Sequence, residues 1–153
     1  MGLLDVASGK SVWRGYEYFS NKNVIVRQKI SDTEIKGIVR GSNNTHYEVF
    51  IDVEHPRKSK CNCPHADGRR IVCKHMVALY FTVFPDIAKK YYDEVINYWE
   101  EEEKRQEEIE DKVISYIHKM KKDELAQAFL QFLFEGPEWQ YERFIREYID
   151  YDF

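Results

Sequence analysis

Apolar and polar residues change period twice along this chain. Val12, Trp13, Tyr16 and Phe19 recur at helical spacing and predict a short helix over 11–20, with Ser11 as its cap. Asn21-Lys22-Asn23 then turns the chain. Three strand-like runs follow: Val24 to Ile30, Glu34 to Arg40 after Ser31-Asp32-Thr33, and His46 to Val53 after Gly41-Ser42-Asn43-Asn44-Thr45. In the third, Tyr47, Val49, Ile51 and Val53 alternate with Glu48, Phe50, Asp52 and Glu54, the period-two pattern of a strand with one dry and one mostly wet face. Short turns between the runs predict hairpins, hence a three-stranded antiparallel sheet.

After His75 the period is helical. Met76 to Phe84 is strongly apolar, and Pro85 stops that helix or starts the next. Ile87, Tyr91, Val95 and Trp99 recur at helical intervals. Residues 100–108 have no apolar face and read as a solvated helix, or else a charged linker. Glu100–Lys104 and Glu101–Arg105 are well-oriented i,i+4 pairs, each contributing about 0.2–0.5 kcal/mol. Apolar spacing resumes at Ile109, Val113, Tyr116, Ile117 and Met120. Asp123 is placed to cap a helix carrying Leu125, Phe129, Phe132 and Leu133. Gly136-Pro137 ends it and opens a last helix with Trp139, Phe144, Ile145 and Tyr148. No internal repeat is visible. The expected fold is α+β: residues 1–84 form a domain of N-terminal helix, sheet and cysteine region, and residues 85–153 an all-helical acidic tail.

Composition narrows the class. At 43% hydrophobic and 33% charged, the chain has ordinary globular apolar content under a heavily charged surface, which excludes a disordered chain. No apolar run reaches the length of a membrane span, and the N-terminus lacks the basic and apolar stretches of a signal peptide. A cytoplasmic location with reduced thiols is expected. The net charge of −4 conceals a division. Residues 1–75 hold 13 Lys and Arg against 8 Asp and Glu, a net of +5; residues 76–153 hold 10 against 19, a net of −9. The two halves therefore suit different partners, or attract each other, unless the acid serves solubility alone.

The three cysteines are an odd number and lie within thirteen residues, which favours metal over a disulfide framework. Cys61-Asn62-Cys63, nine residues, then Cys73-Lys74-His75 offers three thiolates and an imidazole, the donor types zinc takes in a tetrahedron. Residues two apart point to opposite faces of a strand and about 200° apart on a helix, so both pairs must sit where the chain changes direction. Pro64 bends the first pair out of the sheet. Cys73 is expected at a helix N-terminus, where free N–H groups favour a thiolate, with His75 in the first turn. Such a centre carries net −1, which Lys74, Arg69 and Arg70 are near enough in sequence to offset.

This pattern resembles the SWIM zinc finger. Cys61-Asn62-Cys63-Pro64 and Cys73-Lys74-His75-Met76-Val77-Ala78 are similar to the family's usual wording. Arg14-Gly15-Tyr16-Glu17-Tyr18-Phe19, followed by Val24, resembles the lead-in of bacterial members. The likeness covers residues 10–82 well and the acidic tail more vaguely. It implies a zinc-stabilised ββα finger proposed to bind DNA or proteins, in remodelling ATPases, transposases and recombination accessory factors. The chain departs from the first two, and no motor is expected, because it has no phosphate-binding Gly-rich loop and no room for a motor.

The remaining histidines compete weakly. His65 follows Cys63 by two residues, but His75 completes the spacing. His46 and His118 read as surface residues and His55 as loop. Trp13, Trp99 and Trp139 fall on apolar faces and read as core rather than as base-stacking platforms. No catalytic residues are expected: no hydrolytic triad or HExxH appears, and four protein ligands leave zinc no open position. Residues 57–74 hold Arg57, Lys58, Lys60, Arg69, Arg70 and Lys74 against Asp67 alone. That pattern suits phosphate contacts, or charge compensation for the thiolates. The expectation is a non-catalytic module holding one structural zinc and binding DNA, or RNA, as an accessory to a larger machine. A protein partner on the acidic helices is the further candidate, and the alternative is a protein–protein adaptor whose zinc only holds the fold. No membrane and no small-molecule substrate are expected.

Overall fold

The sheet owes its register to the alternation in its third strand. In this computed structural model, which describes residues 2–149, β1 (Val24–Lys29), β2 (Glu34–Arg40), β3 (His46–Asp52) and β4 (Lys60–Cys61) pair antiparallel in the order β1-β2-β3-β4. The expected sheet of three strands is thus one strand short. Lys60 pairs with Phe50 and Cys61 with Val49. Two residues are too few to show a period, so β4 exists only through its partner. Val49 and Ile51 are buried as expected, but so is Asp52 on the supposedly wet face. The return of the chain over 53–59 covers it: Asp52 N–H donates to Ser59 Oγ at 3.0 Å, and its carboxylate accepts from His55 N–H at 2.8 Å.

Helix α1 (Gly9–Ser20) starts earlier than the apolar spacing marks. Its cap is Ser8 rather than Ser11, and Ser8 Oγ accepts from the Ser11 N–H at 3.2 Å. Helix α2 (Lys74–Val83) is the centre of the core, with Met76, Val77, Ala78, Leu79 and Phe81 fully buried. It packs on α1 and on every strand. Two glycines permit this. A Cβ on Gly15 would fall 2.4 Å from Val77 Cβ, and one on Gly37 would fall 2.6 Å from Leu79 Cδ1. Both neighbours are core atoms without room to retreat.

Pro85 both ends one helix and starts another, since α3 runs from Pro85 to Lys119. The stretch 100–108 is helical within it, and Arg105 pairs with Glu102 one turn away rather than with Glu101. The chain divides into two compact units, Met1–Tyr98 and Trp99–Phe153. In the first, Ala88 is fully buried, Tyr91 stacks on Phe81 at 5.5 Å and Tyr92 on Tyr16 at 5.1 Å. In the second, α4 (Lys122–Glu135) and α5 (Glu138–Tyr148) meet through Phe129 and Phe144, 5.2 Å apart. Helix α4 begins one residue before Asp123, and its first turn is held instead by Glu124, which accepts from the Lys121 N–H. Leu133 is buried, while Phe132, Phe134 and Trp139 are more than half exposed. Trp139 and the exposed Trp99 are therefore not core, whereas Trp13 is half-buried beside Tyr16. Among the described residues no helix is long and apolar enough to cross a membrane.

Candidate metal centre

Cys61 ends β4, so its backbone is pinned to Val49. Asn62 then turns the chain back on β3: its N–H donates to the Glu48 carbonyl at 3.3 Å, and its Oδ1 accepts from the Glu48 N–H at 2.9 Å. A side-chain amide thus replaces one rung of the ladder, and the strand stops while still anchored. The chain folds over at once, with the N–H groups of Ala66 and Asp67 both donating to the Cys63 carbonyl. This knuckle brings two cysteines, two residues apart, to one side. Cys73 supplies the third sulfur from the cap position of α2, and His75 follows in the first turn.

The ligand atoms of Cys61, Cys63, Cys73 and His75 lie within 4.8 Å of one another, and all four residues are buried. His75 Nδ1 is 3.8 Å from the Cys61 sulfur and 4.0 Å from that of Cys73. A tetrahedron with Zn–S bonds of about 2.3 Å has edges of about 3.8 Å, so the cluster fits zinc with little adjustment. The thiols are free rather than disulfide-bonded. Cys73 is drawn down to about 4, first by a hydrogen bond from Cys61 and then, against the cost of burial, by His75 and the Met76 N–H. Hydrogen bonding to Cys73 and burial push Cys61 up, and burial pushes Cys63 up. One sulfur is therefore ready as a thiolate, and the other two need a cation to stay ionised.

Residues 47–84 match the family model of the SWIM zinc finger. The chain carries a SWIM zinc finger. No curated protein and no solved structure matches it. The SWIM match starts at Tyr47, whose ring stacks on the His75 imidazole at 4.5 Å, and ends at Phe84, just past α2.

Two aromatic rings around the finger's histidine escaped the reading of ligands by spacing. Tyr18 from α1 meets His75 edge-on at 5.3 Å, opposite in kind to the stacked Tyr47. Alternation had marked Tyr47 as inward-facing, but nothing local ties Tyr18 to a residue 57 positions on. His65 is exposed and outside the ligand cluster, as the spacing of His75 requires. Arg57, Lys58, Lys60, Arg69 and Arg70 are all exposed, and none forms an ion pair among the described residues. Lys74 differs: it is half-buried, its ammonium donates to the Tyr18 hydroxyl at 2.7 Å, and it lies 4.3 Å from that ring's centre.

Proposed function

We propose that this chain is a non-catalytic module that binds DNA through the cationic loops of its SWIM finger, as an accessory to a larger nucleic-acid machine. The observation that carries the reading is the state of Arg57, Lys58, Lys60, Arg69 and Arg70. All five are exposed and without an ion-pair partner among the described residues, and Asp67 is the sole acid in the same stretch. Cations that served only to neutralise the thiolates would be drawn in against them rather than left exposed. The zinc closes the loops and fixes where these side chains stand. With three thiolates and one imidazole it has no open position for substrate, which supports binding rather than catalysis.

Salt dependence tests this directly. Five phosphate contacts give log K against log salt a slope of about −4.5 on duplex DNA, less if engagement is partial. Replacing Arg57, Lys58, Arg69 and Arg70 with Glu should weaken binding on every sequence while zinc stays bound. Folded, zinc-loaded protein with no DNA or RNA affinity at low salt would replace this reading with the adaptor.

A second reading concerns the helices, and the two are compatible. The unit Trp99–Phe153 exposes Leu130, Phe132, Phe134, Trp139 and Tyr148 amid a strongly acidic sequence. Such apolar surface suits a protein partner, and its charge opposes phosphate.

A further inference from the structure

A cavity of about 420 Å³ opens between the start of α1 and the finger. Lys10 and Arg14 line it from α1, Lys74 from α2, and Pro64 and His65 from the knuckle. Its inner wall includes Cys63, Cys73 and His75, three of the four zinc ligands, and its mouth lies among Ser8, Lys10, Arg14 and His65. A single water takes about 30 Å³ of liquid volume, and small-ligand sites span about 300–1,000 Å³.

The charge around it is unbalanced. Among the described lining residues three carry positive charge and none is acidic. A centre of three thiolates, one imidazole and a divalent ion carries net −1, which leaves two positive charges over. Lys74 is fixed at the cavity's edge by the hydrogen bond that its ammonium donates to the Tyr18 hydroxyl at 2.7 Å.

Donors converge on the same space. Ser8 and Ser11 line it at the N-terminus of α1, the end of a helix whose dipole favours negative charge.

The geometry points to a phosphate subsite in this cavity, held by Lys10, Arg14 and Lys74, that extends the nucleic-acid footprint from the finger loops onto α1. The identity of its ligand rests on the DNA reading above; the affinity for a phosphate group does not. An internal phosphodiester and a terminal 5′-phosphate share this chemistry.

The experiment uses the full-length zinc-loaded chain and two probes. Inorganic phosphate, titrated into ¹⁵N-labelled protein, should shift the amides of Gly9, Lys10, Ser11 and Lys74 saturably. Lys10→Glu/Arg14→Glu should abolish those shifts, and Lys10→Arg/Arg14→Lys should keep them. Bound zinc confirms that each variant is folded. In the second arm, fluorescent oligonucleotides with and without a 5′-phosphate are titrated over a range of salt. The Glu pair should weaken binding about tenfold at low salt and flatten the duplex slope by about 1.8, two contacts at about 0.9 each. A loss confined to 5′-phosphorylated strands assigns the subsite to strand ends, and an equal loss on both assigns it to the backbone. Phosphate shifts without any oligonucleotide affinity would leave the subsite and remove the DNA reading. Oligonucleotide binding with unchanged affinity and slope in the Glu pair, and no saturable phosphate shift, would overturn the subsite and leave the DNA reading standing.

Discussion

Gly15 of α1 faces Val77 of α2 so closely that a β-carbon on the glycine would lie 2.4 Å from Val77 Cβ and 3.0 Å from the Lys74 carbonyl oxygen. That approach holds the helix that carries Lys74 and His75 against the helix that carries Tyr18. Alanine in a helix interior is ordinarily favoured over glycine by about 1 kcal/mol. Overpacking a filled core costs about 1–3 kcal/mol, and here the neighbours are core atoms and backbone. The clash wins, so Gly15→Ala should lower the unfolding free energy by about 1–2 kcal/mol. Gly9→Ala, with nothing within 4 Å, should leave it unchanged or slightly higher. Denaturant midpoints of the two variants check the contrast, and equal midpoints would contradict it.

Asn62 joins the zinc knuckle to β3 by two hydrogen bonds to Glu48, one from its backbone and one through its side chain. Asn62→Ala removes only the second. Stability should fall by about 1 kcal/mol. Zinc affinity should fall about 10-fold or more, because the residue orients the cysteines on either side of it. Competition with a chromophoric chelator measures this. Unchanged affinity would mean that Asn62 does not orient the ligands.

Acid should open the finger. Cys73 is held at about 4, below the ordinary thiol value of 9.0, first by its hydrogen bond from Cys61. A group depressed in the folded state adds stability that is complete above its unfolded pKa and disappears as pH falls through its folded pKa. Its contribution therefore declines from about pH 9 and is gone below about 4. Zinc binding works in the same direction, since protons compete for every ligand. Zinc release and loss of helicity should coincide between neutral pH and pH 4. A protein still holding zinc below that range would refute the assignment.

The ligands were legible in the sequence because coordination is local: two tight pairs, each with the residue that turns the chain. The core of α2 was legible for the same reason, as every residue from His75 to Phe81 is buried. What escaped depends on pairing across distance. Two residues of β4 have no period of their own, Asp52 is buried only because 53–59 folds over it, and Tyr18 reaches His75 only because Gly15 lets two helices approach. Exposure of Trp139 defeated the periodic reading differently, since an apolar position on an amphipathic helix does not reveal whether anything covers it.

The helical unit can be tested by truncation. The cut belongs after Tyr98 rather than after Phe84, because Ala88 and Tyr91 pack into the core with α2. If the helices serve a protein partner, residues 1–98 should keep DNA affinity within about twofold and lose partner capture from lysate. If the acidic segment masks the finger, truncation should raise DNA affinity, most at low salt where the Debye length is about 30 Å. A truncated chain that still captures every partner would refute the docking role.

The closed zinc centre is what the rest depends on, and X-ray absorption at the zinc edge of the full-length protein tests it most directly. The expected result is one zinc per chain with three sulfur ligands at about 2.3 Å and one nitrogen at about 2.0–2.1 Å. An oxygen ligand in the first shell, or two nitrogens with two sulfurs, would contradict a centre built from Cys61, Cys63, Cys73 and His75.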